Sequence, residues 1–333
     1  MCIPALEAIR ARWPNADIVL LARPWVADLL RGQPFANRLL LLDHNGLHQG
    51  FFGMERLVRQ LHGQEFDVAV LLQNAFEAAW IAWRAGIPER IGYARDGRSW
   101  LLTHAIAVPR PGETPAHECY YYLELLRRAG WIDRLPELKH IRLHLLPGTR
   151  SRAEEILRAA GASDARMRLA MAPGAAFGTA KCWPPERYAA LADRLIADFD
   201  ADVILFGAVS ERAVAHRVAA AMQRQPVMLV GRTVIGDLPG LLAACDLFVG
   251  NDSGVMHVAG AVGLPVVAVF GPTDPRGTAA MAPRVTVVQQ TVSCSPCFLR
   301  HCPVDHRCMC RVDVQTVYAA VRRWIAQESS PLV

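Results

Sequence analysis

Residues 247–275 read LFVGNDSGVMHVAGAVGLPVVAVFGPTDP. The apolar run Leu247–Gly250 stops at a polar turn, Asn251-Asp252-Ser253. A helical pattern, Gly254–Val262, follows, and a second apolar run, Pro265–Gly271, comes next. Neither run alternates polar with apolar residues, so both predict strands buried on two faces. Strand, turn, helix and strand of this kind form the repeating unit of a parallel, doubly wound sheet. Both strands then end at one rim, where open α/β sheets bind their ligands.

Reading outward, the same alternation recurs. Strands are predicted at Asp17–Ala22, Arg38–Leu42, Phe66–Leu72, Arg168–Ala172, Asp202–Gly207 and Pro226–Val230, with helices at Pro184–Phe199, Ser210–Gln223 and Val314–Gln327. The pattern runs through twice, and 333 residues exceed what one core usually organises. The fold class is therefore α/β with two Rossmann-like doubly wound domains. The predicted division is residues 1–148, then 149–312 with a cysteine-rich loop at 294–310, then a terminal helix within 313–333. The chain opens on a helix, Pro4–Arg12, where a doubly wound domain normally opens on its central strand. The expectation is that the first strand lies ahead of Met1.

Composition narrows the function. Just over half the residues are apolar (52%) and a fifth charged (20%), as in a globular α/β enzyme. No apolar run is long enough for a membrane-spanning helix, and the first residues lack a secretory signal, so a cytoplasmic location is expected. The net charge of +5 comes mainly from Arg. It suits an ordinary solvated surface, or one that attracts nucleotide diphosphates, phosphorylated glycolipid or an anionic leaflet. No nucleic-acid module is visible, so no nucleic-acid partner is expected. No Gly-x-Gly-x-x-Gly follows a strand, which argues against a dinucleotide-dependent dehydrogenase.

Two loops carry the chemistry. Asp252 and Ser253 are favourable N-caps for the helix opening at Gly254, whose free amides and dipole suit a phosphate. An ordinary capped turn is the alternative. The second loop, Ala172–Pro184, follows a strand and precedes a helix opened by Pro184-Pro185. Its small residues let backbone amides approach a ligand, and Lys181 can set a charge against a diphosphate. The glycines and Trp183 around Lys181 favour that role over a solvated lysine.

Residues 173–184, PGAAFGTAKCWP, and 251–275, NDSGVMHVAGAVGLPVVAVFGPTDP, resemble the distinctive motifs of family 9 glycosyltransferases. The likeness extends to IPALEAIRARWP at 3–14 and RDGRSWLLTHAI at 95–106. It implies a GT-B fold, its two domains facing a central cleft, with acceptor on the N-terminal domain and ADP-L-glycero-D-manno-heptose as donor on the C-terminal one. It implies inverting transfer to the inner core of a lipid A–linked oligosaccharide, with no required cofactor and a possible peripheral contact with the inner membrane. Carried over, Lys181 would hold the diphosphate as the catalytic cation, within a donor loop that includes Gly174 and Thr179. Asn251, Asp252, Ser253 and Gly254 would form the phosphate turn, with His257 one helical turn further in. Glu211 resembles the residue that receives the ribose, although a first-turn acid can equally serve the helix dipole. Family members carry a Gly-Asp pair just before the segment matching Ile3–Leu6, and that Asp is the implied general base. Loss of a base typically costs about 10²–10⁴-fold in rate, so the chain as written is expected to bind donor better than it transfers sugar. Arg95, Arg98 and His117 could meet phosphorylated acceptor sugars or simply lie on the surface. The alternatives are a nucleotide-sugar epimerase of the same fold and a non-catalytic nucleotide-sugar-binding protein.

The remaining motif is Cys294-x2-Cys297-x4-Cys302-x3-His306-x-Cys308-x-Cys310. In a cytoplasmic chain these cysteines should be reduced. The spacing suits zinc or an iron–sulfur cluster, but no second Cys-x2-Cys completes a ribbon. The resemblance implies no required metal, and a local structural role is expected.

Overall fold

The computed structural model describes residues 1–328. The chain divides into two compact units, Met1–Glu137 and Leu138 onward.

In the first unit the elements run α1 (Ile3–Arg12), β1 (Val19–Ala22), α2 (Pro24–Leu30), β2 (Arg38–Leu41), α3 (Gly50–His62), β3 (Val68–Leu71), α4 (Phe76–Arg84), β4 (Glu89–Tyr93), β5 (His104–Ile106) and α5 (Cys119–Arg128). All strand pairs are parallel, but they fall into two sheets, β1-β2 and β3-β4-β5. Proline opens both α1 and α2, where its missing N–H costs nothing. The strands are only partly covered: every residue of β1, β2 and β3 retains some exposure. The sequence did not mark β4, because Glu89 and Arg90 break its apolar run, or β5, which has three residues.

The second unit runs α6 (Thr149–Ala159), β6 (Arg168–Ala172), α7 (Pro185–Phe199), β7 (Asp202–Leu205), α8 (Arg212–Ala221), β8 (Val227–Met228), α9 (Leu238–Ala243), β9 (Leu247–Asn251), α10 (Gly254–Ala261), β10 (Val266–Phe270), α11 (Pro275–Thr278), β11 (Val285–Gln289), α12 (Arg307–Cys310) and α13 (Val314–Glu328). Its strands form one parallel sheet in the order β11-β10-β9-β6-β7-β8. β6, β9 and β10 are buried along their whole length. Each fully buried Leu, Val or Phe contributes roughly 1.5–3 kcal/mol through water exclusion. β11 has a β-branched core, Val285-Thr286-Val287-Val288, a readable signal that the strand assignment above leaves out.

The chain joins the second unit earlier than residue 148. Ile141 N–H donates to the Met281 carbonyl (2.8 Å) and Leu143 N–H to Ala261 (3.0 Å), which fixes residues 138–148 to that unit. Nor is α13 a separate element. Val317, Tyr318, Val321 and Ile325 belong to the same core as β6, β7 and α7.

The order of strands sets the site. From β6 the chain steps outward to β7 and β8, then crosses back to β9 and continues outward on the other side to β11. The reversal between β6 and β9 is the switch point at which such sheets leave a crevice at their carboxyl ends.

Candidate functional site

The loops after β6 and β9 meet at that crevice. Lys181, in a single 3-10 turn at Thr179–Lys181, donates from Nζ to Asp252 Oδ2 at 2.6 Å. The pair is well covered, with side chains 13% and 5% exposed. Thr273 Oγ1 donates to the same oxygen at 2.8 Å and Thr278 Oγ1 at 3.4 Å. Three strand-end loops thus converge on one carboxylate. A covered ion pair survives only when its geometry and hydrogen bonds offset desolvation, and the two threonines supply those bonds. Neither threonine was anticipated, although Thr273 lies within the quoted Gly271–Pro275 stretch.

Ser253 is the N-cap of α10, but its hydroxyl makes no capping bond. Its Oγ is buried and has no hydrogen-bond partner among the described residues. Neither member of the expected cap pair makes a capping bond: Asp252 is held by Lys181 and the threonines, and the Ser253 hydroxyl is left unpaired. Leaving a buried hydroxyl unpaired is costly, and here it stands beside first-turn amides that lack intrahelical acceptors. A side chain at Gly254 would meet nothing within 4 Å, so space lies open above the helix start. His257 sits one turn further in and is half-buried.

Asn251 departs from its expected role. It is fully buried, and its Oδ1 accepts from Trp183 N–H (3.1 Å) and Tyr188 O–H (2.9 Å). Its Nδ2 donates to the carbonyls of Pro173 (2.8 Å) and Gly174 (3.2 Å). With both polar atoms consumed, Asn251 ties the two loops together rather than touching a ligand. Trp183 is likewise a core residue, buried against Tyr188 with its indole N–H on the Val312 carbonyl (2.9 Å). The exposed aromatic of the loop is Phe177, with Lys181 Nζ 4.9 Å and the Arg300 guanidinium carbon 5.0 Å from its ring centre.

Glu211 reaches back to the rim. Its Oε2 accepts from Ala208 N–H at 2.7 Å, and its carboxylate lies so close to Gly174 and Gly207 that a side chain at either would collide with it. The two glycines are needed for this close approach. One oxygen thus serves the backbone at the helix start, and the carboxylate as a whole faces the end of β6. Thr179 Oγ1 is 3.1 Å from His301 Nδ1, which places it against the cysteine-rich segment.

The acceptor candidates of the first unit do not gather. Arg98 is fully buried: Nε donates to the Tyr93 carbonyl (3.0 Å), Nη1 to Gln73 and Ala75, and Nη2 to Asn74 Oδ1 (3.1 Å). It is an internal clip, and a phosphate cannot reach it. His117 Nδ1 receives the Cys119 N–H (3.3 Å) and sits 3.0 Å from Cys119 Sγ, at the start of α5. Arg95 is exposed and paired with Asp96 at 3.1 Å.

Cys294 and Cys297 are exposed, Cys302 and Cys310 half-buried, and Cys308 buried, all as free thiols. Among the described residues no three His, Cys, Asp or Glu side chains are gathered for a metal ion. No described helix is long and apolar enough to cross a membrane.

A six-stranded parallel sheet with charged and unpaired polar groups at its switch point is the α/β architecture that binds ligands at the carboxyl ends of its strands. Residues 54–307 match glycosyltransferase family 9 (heptosyltransferase), and the chain belongs to that family. It is 32% identical over 294 residues to lipopolysaccharide heptosyltransferase 2 of Escherichia coli K12, covering 85% of this chain and 82% of that one. It is 28% identical to lipooligosaccharide heptosyltransferase 2 of Haemophilus influenzae, with the same coverage. The structure of Escherichia coli ADP-heptose lps heptosyltransferase II superposes with a TM-score of 0.82 at 27% identity, over 98% of this chain and 94% of that one. A family 9 glycosyltransferase from Veillonella parvula gives 0.85 at 21% identity, over 98% and 93%. The fold is GT-B, and the protein is a glycosyltransferase.

Proposed function

We infer that this enzyme transfers L-glycero-D-manno-heptose from ADP-heptose to the inner core of lipopolysaccharide, adding the second heptose, with inversion at the anomeric carbon. The observation that carries the reading is the covered Lys181–Asp252 pair beside the unpaired Ser253 hydroxyl at the open start of α10. Together they offer a cation, a hydroxyl donor and helix amides to one diphosphate. The relatives named for heptose II transfer support the choice of sugar and acceptor.

In a single displacement, negative charge grows on the departing ADP. Lys181 and the α10 N-terminus stabilise it without reorganising, because Asp252, itself fixed by the two threonines, already holds the lysine in place. Removing one such preorganised donor typically costs about 10²–10³-fold in rate. Glu211, facing the end of β6, is positioned to receive the ribose hydroxyls with its second oxygen. No residue of the chain is assigned as the base for the acceptor hydroxyl, and no cofactor is invoked. The location is cytoplasmic in this reading, where ADP-sugars are made, with contact at the inner-membrane face through the lipid-linked acceptor.

The test is transfer of heptose from ADP-heptose to a core acceptor bearing a single heptose, read by mass spectrometry beside calorimetric binding of ADP-heptose. Donor binding that weakens in Lys181→Ala, together with a product one heptose heavier, supports the reading. If the protein binds ADP-heptose no more tightly than UDP-sugars, the donor assignment is wrong.

A further inference from the structure

The start of α3 leaves three large apolar side chains uncovered. Phe52 is 84% exposed, Phe51 68% and Leu47 62%. Single exposed apolar residues are ordinary, but a contiguous cluster marks a surface that something else covers.

The cluster is held firmly. The loop ahead of α3 closes on itself, with His48 N–H donating to the Asp43 carbonyl at 2.8 Å and His48 Nδ1 accepting the Asp43 N–H at 3.1 Å. His48 is buried, and its backbone packs so closely on α3 that a side chain at Gly53 would stand 2.5 Å from its carbonyl carbon. Gly50 joins loop to helix in the left-handed region (φ 64°), which glycine adopts without steric cost. Leu47 is thereby kept next to the helix start, and the apolar tip is presented on a fixed support.

Charge completes the pattern. Leu57 and Leu61 of α3 lie in the core, with Met54 packed against it. Phe52, Arg56 and Arg59, at i, i+4 and i+7, share the opposite, exposed face. Neither arginine forms an ion pair among the described residues, whereas the neighbouring acids are engaged. Glu55 pairs with Arg84 at 2.7 Å, and Asp43 Oδ1 accepts the Asn45 N–H at 3.2 Å. An open cavity of about 510 Å³ borders the tip, lined by Leu47, Gln49, Phe52, Arg56 and Asp43 among others. Helix α4 lies alongside, tied by the Arg84–Glu55 pair and by His44–Glu77 at 3.3 Å. It adds a second exposed aromatic group, in which the Trp100 ring stands 6.4 Å from Phe76 and 6.1 Å from Trp83.

We propose that the start of α3 is a membrane-docking tip: Leu47, Phe51 and Phe52 enter the headgroup layer of an anionic bilayer, and Arg56 and Arg59 meet its phosphates. Aromatic rings and basic side chains on one helix face are what that layer accepts, and unpaired arginines are drawn to an anionic leaflet. A bilayer requires apolar depth and positive charge but no matched shape. The choice of a bilayer over a protein rests on the reading above that the acceptor is lipid-linked. Docking where the acceptor is anchored raises its effective concentration at the first unit.

Flotation of the full chain with lipid vesicles tests this. Vesicles of phosphatidylethanolamine and phosphatidylglycerol should carry the wild type, phosphatidylcholine vesicles should carry far less, and added salt should release it. Replacing both rings, Phe51→Ser with Phe52→Ser, should weaken binding by about ten-fold or more, and Arg56→Gln by about five-fold. These side chains face water, so circular dichroism should not change. Nor should transfer of heptose to a lipid-free core acceptor. A wild type that stays off anionic vesicles, or a double variant that floats equally well, overturns the proposal. A dimer in sedimentation velocity that the double variant splits also overturns it, since a second copy would then cover the tip. So does a parallel loss of transfer to the lipid-free acceptor, which would assign these residues to the acceptor sugar. Flotation is read without any transfer step, so failure of docking and failure of the heptose assignment are separate results.

Discussion

The two units use the same strand-and-helix grammar with different results. In the second, six strands form one sheet whose central members are wholly buried. In the first, five strands fall into two sheets, and large apolar side chains such as Trp25, Phe52 and Trp100 are exposed. Ordered by chain position, the first unit reproduces the second except that, among the described residues, no strand plays the part of β6. That strand is the one from which the others step outward. Where it is present, its loop supplies Lys181 and its neighbours supply Asp252. The first unit, for its part, holds two buried charges in tight local networks. Arg98 gathers backbone carbonyls, and Glu124, 1% exposed, is gripped by Arg127 at 2.7 Å and Arg128 at 2.6 Å.

That contrast can be broken from either side. The largest effect is expected from Lys181→Ala, which should lower heptose transfer by about 10²–10³-fold. Circular dichroism should show the fold intact, and steady-state kinetics measures the loss. In the first unit Arg98→Met should do the opposite, leaving donor binding unchanged while costing about 3 kcal/mol of stability, because several buried acceptors lose their donor. Scanning calorimetry should then show the first unit melting separately and earlier; a single unshifted transition would mean that Arg98 is not what holds the Tyr93 and Gln73 strand ends.

Gly178→Ala tests the seam between the Lys181 loop and the cysteine segment. A methyl group there would collide with the Arg300 carbonyl, so a cost of about 1–3 kcal/mol is expected, together with a rise in donor KM. Acidification offers a gentler probe. The hydrogen bond from Arg127, reinforced by Arg128, outweighs burial and holds the Glu124 carboxyl below its ordinary pKa. A carboxyl depressed in the folded state adds stability that is complete above its unfolded pKa and is lost as pH falls through the folded one. The first unit should therefore lose stability in acid below the ordinary carboxyl range, and Glu124→Gln should flatten that dependence in pH-resolved melting curves. The smallest effect is expected from Phe177→Ala. A cation–π contact within the chain worth about 0.5–1 kcal/mol predicts a loss of stability of about that size, read from denaturant unfolding curves.

What was legible in the sequence follows the same division. Residues 247–275 could be read directly because a strand buried on both faces must be apolar throughout, and a turn at its end must break that pattern. The helices at Pro184–Phe199 and Gly254–Val262 were legible for the same reason, and they form within a residue of those limits. In the first unit, β4 carries charges and β5 is too short to show a period, so neither announced itself.

Sequence alone also supplied the residue types of the site: a lysine in a glycine-rich loop and a polar turn before a helix. It could not say which polar groups are already engaged. Asn251 and Arg98 look like ligand-binding residues until their hydrogen bonds are traced, and Thr273 and Thr278 look incidental until both are found on Asp252. Local pattern reports burial and periodicity, which depend on near neighbours in the chain. Hydrogen-bond satisfaction depends on partners many residues away, as with Lys181 and Asp252, and only the tertiary structure decides it.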